Sequence, residues 1–130
     1  MKRIFTVFLA VLALSACQST ETRVQNVAET FLNVYYTPDY AAAAAYCTPE
    51  LGARLVQLGE ELEGVPPQTA QKIKEALSRT SFEIVSVEVD EDAASALVHY
   101  ALSVPDVEKP VPMTLKLQLE GRTALVDGIQ

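Results

Sequence analysis

Tryptophan is missing from this chain of 130 residues, histidine occurs once and cysteine twice. A single imidazole excludes a metal centre built on several histidines and leaves at most one imidazole base near neutral pH. Only five glycines are present and none forms a phosphate-cradling loop, so neither a metal nor any other cofactor is expected. Cations are also scarce, with ten Lys and Arg against 17 Asp and Glu. Affinity for nucleic acid comes from clustered Lys and Arg that displace counterions from phosphates, so no nucleic-acid partner is expected. The acidity suits a soluble exported domain and points weakly to cationic partners. Long apolar runs are lacking except at the start, where Ile4 to Ala16 falls short of the roughly 20 residues that span a hydrocarbon core.

That short run is the most informative stretch present. Lys2 and Arg3 precede it, and it ends in Leu14-Ser15-Ala16-Cys17, with small residues giving a peptidase room ahead of the cysteine. The pattern resembles the lipobox of bacterial lipoproteins. The resemblance implies a diacylglyceryl thioether on Cys17, cleavage between Ala16 and Cys17, and acylation of the new amino terminus. A transmembrane anchor and an ordinary secretory signal are the competing readings; the first is too short, and the second needs no cysteine after Ser-Ala. Removal of residues 1–16 leaves 114 residues, eight of them basic and 17 acidic, for a mature charge of −9. One domain is expected over residues 24–130, joined to the lipid by a polar tether over residues 17–23. The membrane partner is then reached through lipid on Cys17, since each buried methylene adds about 0.8 kcal/mol and two or three acyl chains hold firmly. Gln18 stands where an aspartate accompanies inner-membrane retention in some Gram-negative bacteria. The expected location is therefore the outer membrane, facing the periplasm, with the cell surface as the alternative. With Cys17 lipidated, Cys47 has no intramolecular disulfide partner and reads as a small buried side chain at a helix end, the alternative being a reactive thiol.

In the mature chain, Val24, Val27, Ala28, Phe31, Val34 and Tyr35 recur at helical spacing, and Pro38 disfavours helix just before it. Thr37-Pro38-Asp39 and Thr48-Pro49-Glu50 each offer a capping hydroxyl, a proline at the first helical position and an acid at the positive helix end. The first opens a run of five alanines. The second opens a helix with the stripe Leu51, Leu55, Leu58, Leu62, ended by Gly64. Thr69 to Ser78 is a further amphipathic segment carrying Ile73, Ala76 and Leu77.

The period then changes. Phe82 to Val89 is rich in β-branched residues, with alternation slipping between Ile84 and Val85, which predicts either a bulge or a stretch buried on both faces. Asp90-Glu91-Asp92 makes a polar turn; in a turn, three adjacent acids lack the register of a calcium loop. In Ala93 to Val104 the residues Ala94, Ala96, Val98, Tyr100 and Leu102 share a face. Val111, Met113, Leu115, Leu117 and Leu119 form the cleanest alternation, and Glu120-Gly121 predicts a two-residue hairpin turn into Arg122 to Ile129. Helices followed by consecutive strands predict an α+β domain with an antiparallel β-sheet.

The segments Val27-Ala28-Glu29-Thr30-Phe31-Leu32-Asn33-Val34-Tyr35-Tyr36, Pro38-Asp39-Tyr40 with its alanines, and Leu115 through Gly121 to Val126-Asp127-Gly128-Ile129 resemble the nuclear transport factor 2-like (cystatin-like) superfamily. Within it the similarity is to an uncharacterised bacterial lipoprotein branch. The resemblance implies N-terminal helices packed on a strongly bent antiparallel sheet, with the first helix in a cone that sometimes holds a ligand. Ketosteroid isomerase is an enzyme relative of that fold. Its tyrosine donor would fall on Phe31 and its aspartate base on Leu55, and neither side chain can move a proton.

If the first helix lies on the sheet, Phe31, Tyr35, Val98, Tyr100 and Met113 could line the mouth of such a cone or simply fill the core. His99 alternates with Val98 and Tyr100 and is expected to face outward. With no catalytic constellation in the sequence, the expected function is a non-enzymatic, lipid-anchored binding domain whose partner is an unknown envelope protein or a small apolar ligand. The alternative is a hydrolase or isomerase using the cone pocket.

Overall fold

The computed structural model describes residues 19–130. The signal over residues 1–16 and the lipid site Cys17 lie outside the described residues. Among the described residues four helices, α1 (Thr20–Tyr35), α2 (Tyr40–Ala44), α3 (Pro49–Glu63) and α4 (Pro67–Ser78), precede four strands, β1 (Ser81–Asp90), β2 (Ser95–Ser103), β3 (Val111–Glu120) and β4 (Thr123–Ile129). The strands form one antiparallel sheet in the order β1-β2-β3-β4, an open α+β arrangement.

Helix α1 begins four residues before the apolar stripe, because Ser19 takes the cap position and its hydroxyl accepts the backbone N–H of Thr22 at 3.2 Å. Thr20 to Arg23, expected in the tether, are therefore the first helical turn. The helix buries Val24, Ala28, Phe31 and Leu32 against the sheet. At its other end the hydroxyl of Thr37 donates to the carbonyl oxygens of Asn33 and Val34, so this residue closes α1 instead of opening α2. The cap of α2 is Asp39, whose carboxylate accepts the N–H of Ala42 at 3.2 Å. Helix α3 starts as expected after Thr48, with Pro49 at its first position, but the Thr48 hydroxyl turns away to donate to Asp127 at 3.2 Å.

On the sheet, Ala96, Val98, Tyr100, Leu115, Leu117, Ala124 and Val126 supply the other half of the core. Two bulges change which residues face it. In β1 the register passes from Ile84↔Tyr100 to Ser86↔His99, leaving Val85 as the extra residue and 68% exposed. The inward set accordingly switches from Phe82 and Ile84 to Val87 and Val89. In β4 the register passes from Leu117↔Val126 to Lys116↔Gly128, and the extra residue Asp127 is the one that meets Thr48. Beside it, Val126 exchanges backbone hydrogen bonds with Tyr46 and Thr48, so the segment between α2 and α3 is stitched to β4 through a parallel bridge at Cys47.

Two turns differ from expectation, the first by two residues, since β2 begins at Ser95 and not at Ala93, and the second by one. Ala94 lies in the β1–β2 turn and not in β2, with a left-handed φ of 50°, and its carbonyl accepts the N–H of Leu119 at 2.8 Å. The β3–β4 loop is Gly121-Arg122, since Glu120 still pairs with Thr123. Gly121 has φ 59° and Arg122 has no positive φ, the pattern of a type II′ turn, which wants glycine first.

Candidate functional site

The five residues proposed to line a pocket divide into two groups. Phe31, Val98 and Tyr100 are buried in the core, while Tyr35 and Met113 are half-buried against it. Phe31 stacks on Tyr35 with ring centroids 5.5 Å apart, and Tyr35 meets Tyr36 and Tyr40 edge-on. The hydroxyls of Tyr36 and Tyr100 are 3.2 Å apart, each able to donate to the other. Phe82 closes the group edge-on to Tyr100. Burial pushes all four of these tyrosine hydroxyls above the ordinary phenol value, so they stay neutral at physiological pH and act as hydrogen-bonding groups, not bases. Around Tyr100 the hydrogen bond to Tyr36 pushes the same way; at Tyr36 that bond works against burial. The two positions matched to catalytic groups of the isomerase, Phe31 and Leu55, are both buried and apolar.

His99 faces outward from the sheet, opposite the helices. Its Nε2 lies 2.6 Å from a carboxylate oxygen of Glu88 and its Nδ1 lies 3.1 Å from the hydroxyl of Thr114. A hydroxyl, an imidazole and a carboxylate thus touch in series. The trio stands on an exposed strand surface, and the backbone N–H and carbonyl of Thr114 are both engaged with Gln130, so Thr114 has no free N–H to receive an oxyanion. Cys47 is buried, its thiol donates toward the carbonyl of Ala43 at 3.3 Å, and burial raises its pKa to about 11. That keeps the thiolate, the reactive form, scarce at neutral pH.

Open clefts occur at the two ends of α1. At its N-terminus, Glu21, Glu88, Asp90, Glu91 and Asp92 line a shallow acidic cleft of about 890 Å³. Among the described residues no group of acids, histidine or cysteine is arranged to hold a metal ion. At the far end of α1, a helix of 16 residues and so about 24 Å long at 1.5 Å per residue, two apolar grooves flank α4. One, of about 600 Å³, lies between α1, α4 and β1 over Leu32, Tyr36, Leu77 and Phe82. The other, of about 470 Å³, lies between α2, α3 and α4 over Tyr40, Val56, Leu62 and Val65. Pro38 and Lys74 border both.

These grooves exist because α4 packs lightly. Ala70, Ile73 and Leu77 form its inner stripe, yet none of its residues is fully buried. Val56 of α3 remains 44% exposed on the groove floor. Sequence periodicity predicted apolar stripes on α3 and α4, of which Leu51, Leu55, Leu62, Ile73 and Leu77 are buried or half-buried while Leu58 and Ala76 are exposed, and it could not show that the space between the helices is left partly unfilled. The one available signal was Gly64-Val65-Pro66-Pro67, a stiff connection that supplies Val65 and Pro67 to the groove.

Among the described residues no helix is long and apolar enough to cross a membrane. Residues 1–18 match the pattern of the prokaryotic membrane lipoprotein lipid attachment site. The chain is a lipid-anchored lipoprotein of the bacterial envelope. No curated protein matches it in sequence. The matched segment ends two positions ahead of Thr20, the first residue of α1, so along the chain the acidic end of this lipoprotein is the end nearest its attachment segment.

Proposed function

We propose that this lipoprotein is a non-enzymatic binding domain of the nuclear transport factor 2-like type, held by lipid on Cys17 at the periplasmic face of the outer membrane. The observation that carries the reading is the polarity of α1. Its first turn follows the attachment site after two residues, while its far end opens on apolar grooves with exposed floor residues. An apolar recess held away from the host bilayer is suited to a second molecule of the envelope. The order helices-then-meander, with the first helix buried on the sheet, supports the superfamily reading, as does the α1–α2 sequence that suggested it.

Membrane fractions separated on a density gradient should hold the protein in the outer-membrane fraction, protected from added protease in intact cells. A photo-reactive residue in place of Val56 should cross-link it to another envelope component. Recovery in the inner-membrane fraction overturns the location, and absence of any cross-link from every exposed face overturns the binding role. The contacts among Thr114, His99 and Glu88 favour one second reading, an esterase on the outer sheet face. Ester hydrolysis that disappears in His99→Ala would establish it.

A further inference from the structure

We propose that the groove between α2, α3 and α4 docks a basic amphipathic helix of a partner protein; this deepens the binding role above and rests on it. The floor is apolar, with Val56, Leu62 and Val65, and the rim carries the carboxylates of Asp39, Glu60 and Glu63 against a single cation, Lys74. All three acids are exposed and, although Asp39 also caps α2, none of the three is in an ion pair among the described residues, where the pair found is His99 with Glu88, far from this rim. An apolar trough edged by unpaired negative charge complements a helix with apolar side chains on one face and Lys or Arg flanking them.

The walls decide the shape of the occupant. They are helices on three sides, with no strand edge to offer backbone pairing, so recognition runs through side chains interlocking as helices do. Gly59 lines the groove where α3 packs on α2: a Cβ there would already lie 3.6 Å from the Cβ of Tyr40, so the glycine holds the two walls close together. Helix α4, without a fully buried residue, can shift to admit the occupant. A bilayer does not suit the same place. The groove lies past the far end of α1, a helix about 24 Å long whose other end follows the attachment segment, and its acids repel anionic headgroups. A second copy brings the same acidic rim and is repelled likewise.

The test uses the acylated mature protein in a nonionic detergent and two fluorescent helical peptides, one of Leu and Lys with its leucines on one face, the other with Glu replacing Lys. The Leu/Lys peptide should bind and the Leu/Glu peptide should not. Glu60→Lys combined with Glu63→Lys should weaken the binding about tenfold. Glu91→Lys combined with Asp92→Lys makes the same change in net charge at the anchored end and should leave binding unchanged. Equal weakening by both pairs means that overall charge drives binding and overturns the groove, as does binding of both peptides alike or of neither. Self-association lost in Val56→Glu would assign the face to a second copy and overturn the proposal. All four charge substitutions are at exposed positions, so folding is not at stake. If the groove fails while cross-links form from Val85 or Leu97 on the outer sheet face, the binding role stands and only the groove falls.

Discussion

Replacing Phe31 by alanine separates a filled core from a hollow cone. The ring has no exposed surface, stacks on Tyr35 at 5.5 Å, and lies in the same cluster as Leu32, Val98 and Tyr100. In a filled core, removing it forfeits the transfer energy of the ring and leaves a cavity that its neighbours only partly close, a loss of about 3–5 kcal/mol. Against a total stability of about 5–15 kcal/mol that is a large share, and for a domain of this size it lowers Tm by about 12–20 °C. Urea denaturation followed by circular dichroism measures it directly, with an unchanged m-value showing that the unfolding transition has kept its character. Val56→Ala on the exposed groove floor is the matched control and should change stability by no more than about 0.5 kcal/mol. A Phe31→Ala loss below about 1.5 kcal/mol would refute the reasoning, because a ring bordering empty space has few contacts to lose.

Four further outcomes are expected. Cys17→Ala should abolish palmitate incorporation and release the protein from membranes; persistent labelling would contradict lipid on that sulfur. Cys47 has its pKa raised by burial to about 11 from a model-peptide value of 9.0, so folding favours the thiol. The unfolded chain ionises first, and stability is full below pH 9 and falls by about 2–3 kcal/mol as pH rises toward 11. The buried tyrosines add to the loss only above their own unfolded value near 10, so denaturation between pH 9 and 10 should be flatter in Cys47→Ala. Ala94→Gly should raise stability by about 0.5–1 kcal/mol in thermal melts, since alanine there holds a φ of 50° that glycine adopts without strain.

The sequence disclosed the elements through their periods, and it disclosed the slip in β1 because Ile84 and Val85 break alternation while Phe82 and Val89 hold it on either side; the exposure of Val85 and the register decide for a bulge over a stretch buried on both faces. It disclosed Pro49 at the head of α3 because proline tolerates few other helical positions. Caps were harder. Ser19, Thr37, Asp39 and Thr48 can all accept a hydrogen bond from a helix start, and which one does depends on where the preceding element ends. Thr37 is taken by the last turn of α1 and Thr48 by Asp127, a residue 79 positions away. The turns at Ala94 and Gly121 were misplaced by two positions and one for a similar reason: strand pairing across β1–β2 and β3–β4 fixes each loop, and pairing partners are not visible along one chain. The outward placement of His99 was legible from alternation, but its contacts with Glu88 and Thr114 depend on the register on both sides of β2. The grooves beside α4 were not legible from the stripes, since an apolar stripe has the same pattern whether its partner fills the space or not, and Gly64-Val65-Pro66-Pro67 marked only a stiff connection.

Mass spectrometry of the amino-terminal peptide of the protein purified from its own membranes tests the anchoring most directly. A peptide that starts at Cys17 and carries the mass of a diacylglyceryl group with an acylated amine is the expected result. A peptide that starts at Met1, or at Cys17 with an unmodified thiol, would contradict it.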